Sequence, residues 1–512
     1  MHARTYNRFR FGYVSTVEVL SQLKKLKRKK ASGPDHLPPN LIKDSANIIA
    51  KPIAYVINLS LRSGLFPDEW KIARVVPLHK SGTRDNFENY RPISALPVIS
   101  KIVEKIVHKK LVNYLEEHHL LTNQQFGFRR KRSTELAATL FTDDIRRSVD
   151  QKKLVGCIFI DFSKAFDTLS HSKLLSKLTA YGISGNELDW FTSYLFHRQQ
   201  LVNYGNHSSK PYSISSGVPQ GSILGPLLFV IFANDITDHV KSSKIIMYAD
   251  DTVLYADGSS LKSIENALSS DMSLLASWFT ENELILNLKK GKTEAMVFGT
   301  SKKLATTSAV INVKYKDHSI NVTTNYKYLG VNLDQTLSLN KHFDSSYKKA
   351  SSRLRLLMKL RHLLTSHAAK SIYETMVLPV MTYCCLVSLF HTETHKKRLT
   401  SIDNRARKII NNDVKKTISI LQFQQRHACK FVRSCLDESI CVNFHGYFTK
   451  IENKRNTRNN HVALKLPAVR TEFAKKSSYF MAAKIYNMLP TDVRKIENFN
   501  SFCNEIKNIF SG

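Results

Sequence analysis

Two adjacent aspartates, Asp250 and Asp251, are the residues of this sequence whose placement most clearly indicates chemistry. They lie between two short apolar segments, 244–248 and 252–255, which are typical of the two strands of a hairpin. The Ala-Asp-Asp turn between them lacks the Gly or Asn that tight hairpin turns favour. Neighbouring carboxylates repel each other and raise each other's pKa, so a counter-charge is expected close by. The pattern predicts a divalent cation at this turn, and the alternative is an ordinary solvated turn.

A third carboxylate, Asp161, directly follows the continuous apolar run 154–160. Such a run is typical of a strand that is covered on both faces, and a strand neighbouring the hairpin would bring the three acids together. Mg²⁺ prefers oxygen ligands and keeps waters and substrate phosphates in its shell. Three carboxylates on adjacent strand ends can hold two ions about 4 Å apart, one activating a primer hydroxyl and the other neutralising a leaving pyrophosphate. The predicted chemistry is phosphoryl transfer.

The charge of the chain favours a polyanionic partner. Among 512 residues there are 76 Lys and Arg against 42 Asp and Glu, a formal net charge of +34. A surplus of this size attracts nucleic acid, whose phosphates can neutralise it along a groove. Because 42% of the residues are hydrophobic and only 18 are Gly and 14 Pro, disorder and low-complexity repeats are excluded for most of the length.

The sequence indicates neither a membrane-spanning nor a secreted protein. Its most apolar stretch, 377–390, is shorter than the roughly 20 residues that a span needs, and the N-terminus has no continuous apolar block. Seven scattered cysteines are typical of reduced thiols in the nucleus or cytoplasm. The basic run 24–30 is either a nuclear-import signal, a phosphate-contacting patch or a solvated helix end.

The elements that must position these acids can be predicted from periodicity and turn signals. Helices are predicted over 17–26, 37–61, 99–121, 223–236, 261–278 and 343–383. Strands are predicted over 74–80, 90–94, 154–160, 294–298 and 326–333, in addition to the hairpin. Helices on one side of mixed strands favour an α+β fold.

Several segments together resemble a known family. Those in the middle of the chain are Ile160-Asp161-Phe162-Ser163-Lys164-Ala165-Phe166-Asp167, Gly217-Val218-Pro219-Gln220-Gly221-Ser222, Tyr248-Ala249-Asp250-Asp251 and Tyr326-Lys327-Tyr328-Leu329-Gly330. In this order they resemble the palm motifs of reverse transcriptases. The upstream segments Lys80-Ser81-Gly82, 89–96 and 125–129 resemble finger motifs of the non-LTR retrotransposon branch. The resemblance spans roughly residues 20 to 400.

The resemblance implies an α+β right-hand polymerase with fingers, a palm with an antiparallel sheet and a helical thumb, followed by a mostly helical C-terminal region. The domains expected from it are fingers with an N-terminal helical extension over 1–150, a palm over 151–335 with a fingers-like portion at 182–212, a thumb over 336–410, and a region of unknown role over 411–512. Basic stretches at 405–408 and 454–458 are compatible with RNA contacts.

The resemblance also assigns the catalytic residues. Asp161, Asp250 and Asp251 match the metal-binding acids of the family, for two Mg²⁺ ions that Mn²⁺ can replace. Lys292 resembles a late palm lysine that gives a proton to pyrophosphate. The preceding Gly291 departs from the family pattern, which puts the local backbone in question.

Five further residues match nucleotide-binding positions: Lys80, Arg91, Phe166, Gln220 and Gly221. Lys80 and Arg91 match triphosphate-contacting cations of the fingers, although surface cations are commonly just solvated. Phe166 matches the aromatic that excludes a ribose 2′-hydroxyl, and its alternative is a core aromatic. Gln220 and Gly221 match a loop that packs on the incoming nucleotide and the template base, and such a segment can equally be a helix-entry turn.

Tyr328, Leu329 and Gly330 match a hairpin that positions the primer end, with a plain buried strand as the alternative. Basic residues of the helical lobe over 343–383 resemble a thumb that tracks the duplex backbone. Cys429, Cys435 and Cys441, flanked by His427 and His445, lack the paired spacing of zinc sites, so no zinc site is expected there.

The function that the resemblance implies is an RNA-directed DNA polymerase that adds dNTPs to a DNA primer on an RNA template, in the nucleus or in a cytoplasmic ribonucleoprotein. Two alternatives stay open: a reverse-transcriptase-derived protein that binds nucleic acid without catalysis, and a group II intron-type maturase. No endonuclease motif is recognised, so the chain is expected to be the polymerase portion of a longer or degraded element.

Overall fold

The computed structural model describes residues 4–80, 82–205, 207–307, 310–410, 419–451 and 463–510. Ser81 of the first finger motif and the basic stretch 454–458 lie outside these ranges. The chain divides into two units. Unit 1 comprises Met1–Phe128, Phe162–His239 and Leu274–Asn287, and unit 2 comprises Arg129–Asp161, Val240–Ser273 and Leu288–Gly512.

The fold mixes helices and strands, as the α+β prediction requires. The helices are α1 Thr16–Lys24, α2 Pro39–Asp44, α3 Ala46–Ser63, α4 Val98–Glu117, α5 Thr134–Asp150, α6 His171–Ala180, α7 Asn186–Leu195, α8 Leu224–Ala233, α9 Leu261–Glu281, α10 Ser301–Thr306, α11 Asn340–Lys359, α12 Ser366–Ile372, α13 Leu378–Thr382, α14 Glu393–Ile410, α15 Ile420–Leu436, α16 Glu472–Lys475, α17 Ser478–Asn487, α18 Thr491–Arg494 and α19 Phe499–Ile509. The strands are β1 Ile72–His79, β2 Tyr90–Ala95, β3 Leu154–Ile160, β4 Arg198–Tyr204, β5 His207–Ser208, β6 Tyr212–Ile214, β7 Lys244–Tyr248, β8 Asp251–Gly258, β9 Glu294–Phe298, β10 Lys314–Tyr315, β11 His318–Ser319, β12 Asn321–Val322, β13 Asn325–Tyr328 and β14 Val331–Asp334.

Unit 1 contains a sheet built on the two strands predicted over 74–80 and 90–94. Strands β1 and β2 confirm them and pair antiparallel as a hairpin, and β4 adds to β1 in parallel. Helix α8 is buried along almost its whole length, and the carboxylate of Glu104 accepts hydrogen bonds from the Ile223 and Leu224 amides at its start. This fully buried acid thereby satisfies two amides that the first turn of a helix leaves unpaired.

Unit 2 contains a five-stranded sheet in the order β12-β9-β3-β8-β7, with β3 in its centre. Every residue of β3 is buried, which confirms the prediction of a strand covered on both faces. On one face α9 approaches closely, because a Cβ on Gly156 would lie 2.4 Å from Cγ2 of Ile264. On the other face the ring of Phe141 on α5 packs against Phe159, with centroids 6.0 Å apart.

Helices α11 to α15 of unit 2 share one apolar core, formed by residues such as Leu354, Tyr373, Leu399, Ile402 and Ile420. The predicted helical stretch 343–383 is confirmed in type but is interrupted. Helix α11 ends at Lys359, a short 3₁₀ turn and α12 follow, and a π-helical turn at Tyr373–Val377 leads into α13.

Two predicted elements are wrong in extent, each for a local reason. The segment 326–333 is a hairpin of β13 and β14 because Leu329 and Gly330 take the left-handed conformation, with φ of 45° and 83°. The stretch 37–61 is two helices, separated at Ser45, whose hydroxyl donates to the Leu41 carbonyl at 2.8 Å and ends α2. Such side-chain bonds to the backbone compete with helix continuation.

Carboxylates from preceding elements accept amides at the start of several helices; Asp143 and Asp403 are buried, and Asp334 is half-buried. Asp334 accepts from the Leu339 amide before α11, Asp403 from the Ile420 amide of α15, and Asp143 from the Ser478 amide of α17. The positive end of the helix dipole and the unpaired amides of the first turn both favour a carboxylate at this place. In the part of the chain that the structure describes, none of the helices combines the length and apolarity required to cross a bilayer.

One of these acids predicts a pH dependence of stability. Burial raises the pKa of Asp403 from 3.8 to about 6, against the opposing hydrogen bonds from Ile420 and Tyr373. Because Asp403 binds its proton more tightly in the folded state, the wild-type protein loses stability as the pH rises from about 4 to about 6. Asp403→Asn keeps a carbonyl acceptor and does not titrate. The unfolding free energy of the variant minus that of wild type should therefore increase by about 2–3 kcal/mol as the pH rises from about 4 to about 7.

Urea unfolding of both proteins at several pH values measures this difference, with the exposed Asp317→Asn as control. Parallel stability curves for wild type and Asp403→Asn would contradict the assignment.

Candidate active site

The three predicted acids lie at one end of the unit 2 sheet. In the β3–β8 ladder Ile160 is opposite Thr252, so the next position places Asp161 beside Asp251. In the β7–β8 ladder Asp251 is opposite Tyr248, which leaves Ala249 and Asp250 as the two residues of the turn. Because directly opposed residues project from the same face of a sheet, Asp161 and Asp251 share a face and stand about 5 Å apart at Cβ.

The turn itself is strained, as expected from its lack of Gly or Asn. Ala249 has φ of 56°, a left-handed conformation that costs an L-residue about 1–2 kcal/mol. Ala249 is also buried, and Asp251 is exposed. The buried ladders on either side therefore hold a turn that places its carboxylates at the sheet end, where solvent reaches them.

The ring of Tyr326 gives a second, independent sign that two of the acids face one place. It stacks on Phe159 with centroids 3.9 Å apart and an interplanar angle of 4°. Burial raises the pKa of the Tyr326 phenol, and the charges of Asp161 and Asp251 both raise it further. Both carboxylates are therefore near the same hydroxyl, which donates to the Lys292 carbonyl at 2.7 Å.

Lys292 lies beside these acids. Its Nζ is 3.4 Å from Oδ1 of Asp161, and the Asp161 amide donates to Oγ1 of the adjacent Thr293 at 3.2 Å. Gly291, the departure from the family pattern, has φ of 81° and gives its amide to Glu294 at 2.8 Å. The turn that includes Gly291 thus brings Lys292 to the acids.

The residues Tyr328, Leu329 and Gly330 form the end of the β13–β14 hairpin. Tyr328 is 2% exposed, and its hydroxyl has no hydrogen-bond partner among the described residues. The Leu329 carbonyl accepts from the Tyr383 hydroxyl at 2.8 Å, and a Cβ on Gly330 would lie 2.9 Å from the Tyr383 ring. The plain buried strand considered for this segment is therefore wrong.

The predicted nucleotide-binding loop, residues 217–221, belongs to unit 1. The Gln220 amide donates to both oxygens of Asp167, at 2.9 and 3.0 Å, and the Gln220 carbonyl accepts from the Ser94 amide at 2.8 Å. A Cβ on Gly221 would lie 2.3 Å from the Ser94 carbonyl oxygen. Sequence reasoning gave no role to Asp167, and the available signal was its place in the same motif as Asp161.

Phe166 also lies in unit 1 and is half-buried. Its ring contacts Phe229 at 4.8 Å and Phe128 at 6.4 Å, measured between centroids, and its carbonyl accepts from the Val218 amide at 2.8 Å. The ring is therefore supported from behind by other aromatics while part of it remains accessible.

Lys80 and Arg91 project from the same face of the β1–β2 hairpin. Arg91 is opposite Leu78, and the Lys80 amide continues the ladder by donating to the Asn89 carbonyl at 2.7 Å. Residues two apart on a strand share a face, so the two cations lie side by side, and both are exposed.

The donor set at the sheet end suits a hard divalent cation. It consists of carboxylate oxygens that are partly exposed, which are the ligands that Mg²⁺ and Mn²⁺ prefer. Two neighbouring carboxylates on one face repel each other, and a cation bound between them would relieve that repulsion. The arrangement fits metal-assisted chemistry on a phosphate.

Comparison with known proteins agrees with this chemistry. Residues 78–333 match the family described as reverse transcriptase (RNA-dependent DNA polymerase). The chain is 29% identical over 412 residues to the probable RNA-directed DNA polymerase from transposon BS of Drosophila melanogaster, covering 77% of this chain and 44% of that protein. It is 27% identical over 398 residues to the RNA-directed DNA polymerase from mobile element jockey of the same species, covering 75% and 42%.

The chain therefore belongs to the reverse transcriptase family, as the motif resemblance predicted. Its relatives are proteins of non-LTR retrotransposons, and a further one is the Pol polyprotein from the type-1 retrotransposable element R1 of Bradysia coprophila, 25% identical over 330 residues, covering 64% of this chain and 32% of that protein. The chain spans less than half the length of the curated relatives it matches. Divalent metal ions are general in this family.

The close packing around Gly217 predicts that Gly217→Ala destabilises the protein more than Gly291→Ala does. Gly217 and Gly291 have nearly the same φ, 79° and 81°, but a Cβ would lie 2.4 Å from the Asp167 carbonyl oxygen at Gly217 and meet nothing within 4 Å at Gly291. Both Ala variants carry the left-handed penalty, and only Gly217→Ala adds a backbone clash worth about 1–3 kcal/mol. Urea unfolding should show that extra loss, and equal losses would mean that the loop relaxes freely.

Proposed function

We propose that this chain is an RNA-directed DNA polymerase that extends a DNA primer on an RNA template with dNTPs. The observation that carries the proposal is the β3–β8 register, which brings Asp161 beside Asp251 at the strand end next to Asp250. Within the reverse transcriptase family, three acids at this place are the expected metal ligands. The net charge of +34 supports a nucleic-acid substrate.

The finer architecture is also a proposal. The five-stranded sheet of unit 2 serves as the palm, the β1–β2 hairpin belongs to the fingers, and α11 to α14 form the thumb. Helix α11 supports the last assignment because it buries Ala350, Leu354 and Leu357 while its cations face solvent. Those exposed cations are Lys348, Lys349, Arg353, Arg355 and Lys359. Such a face suits phosphate contacts that position a duplex without reading its sequence.

Asp161, Asp250 and Asp251 would hold two Mg²⁺ ions. When bound, the ions supply Lewis acidity for the attack of the primer 3′-hydroxyl on the α-phosphate and for the departure of pyrophosphate. Lys292, whose ammonium is 3.4 Å from Asp161, gives a proton to the leaving pyrophosphate. Tyr326 keeps Lys292 in place by donating to its carbonyl, and the Phe159 stack fixes the ring that does so.

Substrate selection rests on unit 1 residues in this proposal. Lys80 and Arg91 contact the triphosphate, and Gln220 and Gly221 pack on the base pair being formed. Phe166 selects dNTPs because its ring, supported by Phe128 and Phe229, resists displacement by a 2′-hydroxyl.

Substitution of the acids tests the catalytic assignment. Asp161→Asn and Asp250→Asn keep size and remove a negative ligand, so primer extension on an RNA template should fall at least about 100-fold. Asp257→Asn is the matched control, because Asp257 lies at the opposite end of β8 and pairs with Lys153. Its activity should stay near wild type.

Template–primer affinity, measured by fluorescence anisotropy on the same proteins, separates catalysis from binding. Asn variants that bind and extend as wild type would overturn the assigned roles. A wild-type chain that binds and incorporates no dNTP would favour the non-catalytic nucleic-acid-binding alternative, and promotion of intron splicing would favour the maturase alternative.

The sugar selection has its own test. Phe166→Ala removes the ring that would clash with a ribose, so the ratio of rNTP to dNTP incorporation, as kcat/KM, should rise at least about tenfold. Phe87→Ala, at a ring that is 92% exposed, is the control. Unchanged discrimination in a folded Phe166→Ala protein that still incorporates dNTPs would exclude Phe166 as the selecting residue.

A further inference from the structure

Three side chains of unit 2 that the proposed polymerase chemistry does not use meet at a separate place. Glu135 lies in the first turn of α5, Cys385 follows α13, and His427 is in the middle of α15. Their ligand atoms, a carboxylate oxygen, a thiol sulfur and a ring nitrogen, all lie within 4.8 Å of one another. They come together from distant parts of the sequence, since Glu135 and His427 are 292 positions apart.

The carboxylate of Glu135 is oriented towards the other two groups. Its Oε1 accepts from the Leu386 amide at 3.0 Å, and its Oε2 is 2.7 Å from Nε2 of His427. The Cys385 thiol is also within hydrogen-bonding reach of this carboxylate. A backbone bond on one oxygen is the kind of support that fixes a metal-ligating carboxylate, and an ion would replace the proton that lies between Oε2 and Nε2 of His427.

Burial and neighbouring contacts restrict the other two ligand side chains, Cys385 and His427. Cys385 is 1% exposed, and the preceding Cys384 has φ of 50°, a left-handed conformation that is unusual for a residue with a side chain. The His427 ring stacks on Phe423 with an interplanar angle of 14°. Glu135 and His427 are half-buried, so the cluster is closed on the Cys385 side and reachable from solvent on the other.

We propose that Glu135, Cys385 and His427 form a zinc site. A thiolate, an imidazole and a carboxylate are the ligands that Zn²⁺ takes, and three protein ligands with a water complete a tetrahedral shell. Binding replaces protons at the centre of the cluster: the Cys385 thiol would lose its proton to solvent, and neutral His427 would change tautomer, with its proton on Nδ1 in place of Nε2, so that the Nε2 lone pair faces the ion. The sulfur distinguishes this site from the all-oxygen donor set of Asp161, Asp250 and Asp251.

A metal bound here would connect three segments of unit 2: α5, the segment after α13, and α15. Helix α5 carries Phe141, which packs under β3, while Cys385 and His427 belong to the helical part after β14. Because the three ligands are not close in an unfolded chain, the free energy of zinc binding adds to the stability of the folded state. The role is structural, and it does not depend on whether the chain polymerises DNA.

Direct metal analysis of the full chain tests the proposal. The protein is stripped with a chelator, dialysed against Zn²⁺ and measured by mass spectrometry of the metal. We expect about one zinc per chain in wild type and in Cys503→Ser, a half-buried thiol outside the cluster, and strong loss in Cys385→Ser. Cobalt in place of zinc should give thiolate-to-metal absorption that Cys385→Ser abolishes.

His427→Gln separates a metal site from a cluster held by hydrogen bonds alone. The Gln amide can still donate to Glu135 and does not replace the imidazole ligand, so the variant should fold, lose zinc and no longer show a rise in melting temperature on zinc addition. Absence of stoichiometric zinc in wild type, or equal zinc in wild type and Cys385→Ser, would overturn the proposal and leave a hydrogen-bonded cluster.

Discussion

The antiparallel ladder between β3 and β8 is the interaction on which the rest of the candidate site depends. A slip of one residue would turn Asp161 to the opposite face and separate it from Asp251. Packing on both faces resists such a slip: a Cβ on Gly156 would lie 2.4 Å from Cγ2 of Ile264, and Phe159 stacks face to face on Tyr326. The stack in turn sets the tyrosine hydroxyl that holds Lys292, so one register determines the positions of both the acids and the candidate proton donor.

Acidic residues are scarce in this chain, and the structure concentrates several of them in its interior. Glu104, Asp143 and Asp403 each accept a backbone amide at the start of a helix that follows later in the sequence. A carboxylate in that position is stabilised by the helix dipole and by otherwise unpaired amides, which offsets only part of the cost of its burial, because burial still raises the pKa of all three acids. Because these acids lie inside, they neutralise little of the surface charge, and exposed cations such as those of α11 dominate where a polyanion would bind.

Much of this site could be predicted from the sequence because its signals are local. The run 154–160 predicts a buried strand by composition alone, and the Asp250–Asp251 turn is recognisable from the strands on either side. The contacts that complete the site are not local. In unit 2, the hydrogen bond from Tyr326 to the Lys292 carbonyl joins segments whose pairing no periodicity encodes. The same is true, within unit 1, of the hydrogen bonds from Gln220 to Asp167. Pattern alone predicted one strand over 326–333, and only the resemblance indicated a hairpin at Tyr328–Gly330, because the first turn residue with positive φ is a leucine.

Helix α5 explains why the C-terminal segments are part of unit 2. Its inner side packs on β3 through Phe141, while Asp143 and Asp150 accept amides from Ser478 and Arg470. Those segments are therefore attached to the helix that supports the central strand, with Glu135 at the start of the same helix. Helix α5 therefore carries Glu135 of the cluster, contacts the segments that follow residue 463 and packs on the strand that ends at Asp161. The sequence could not reveal this connection, since single acids in a helix are ordinarily solvated and become informative only when their amide partners are seen.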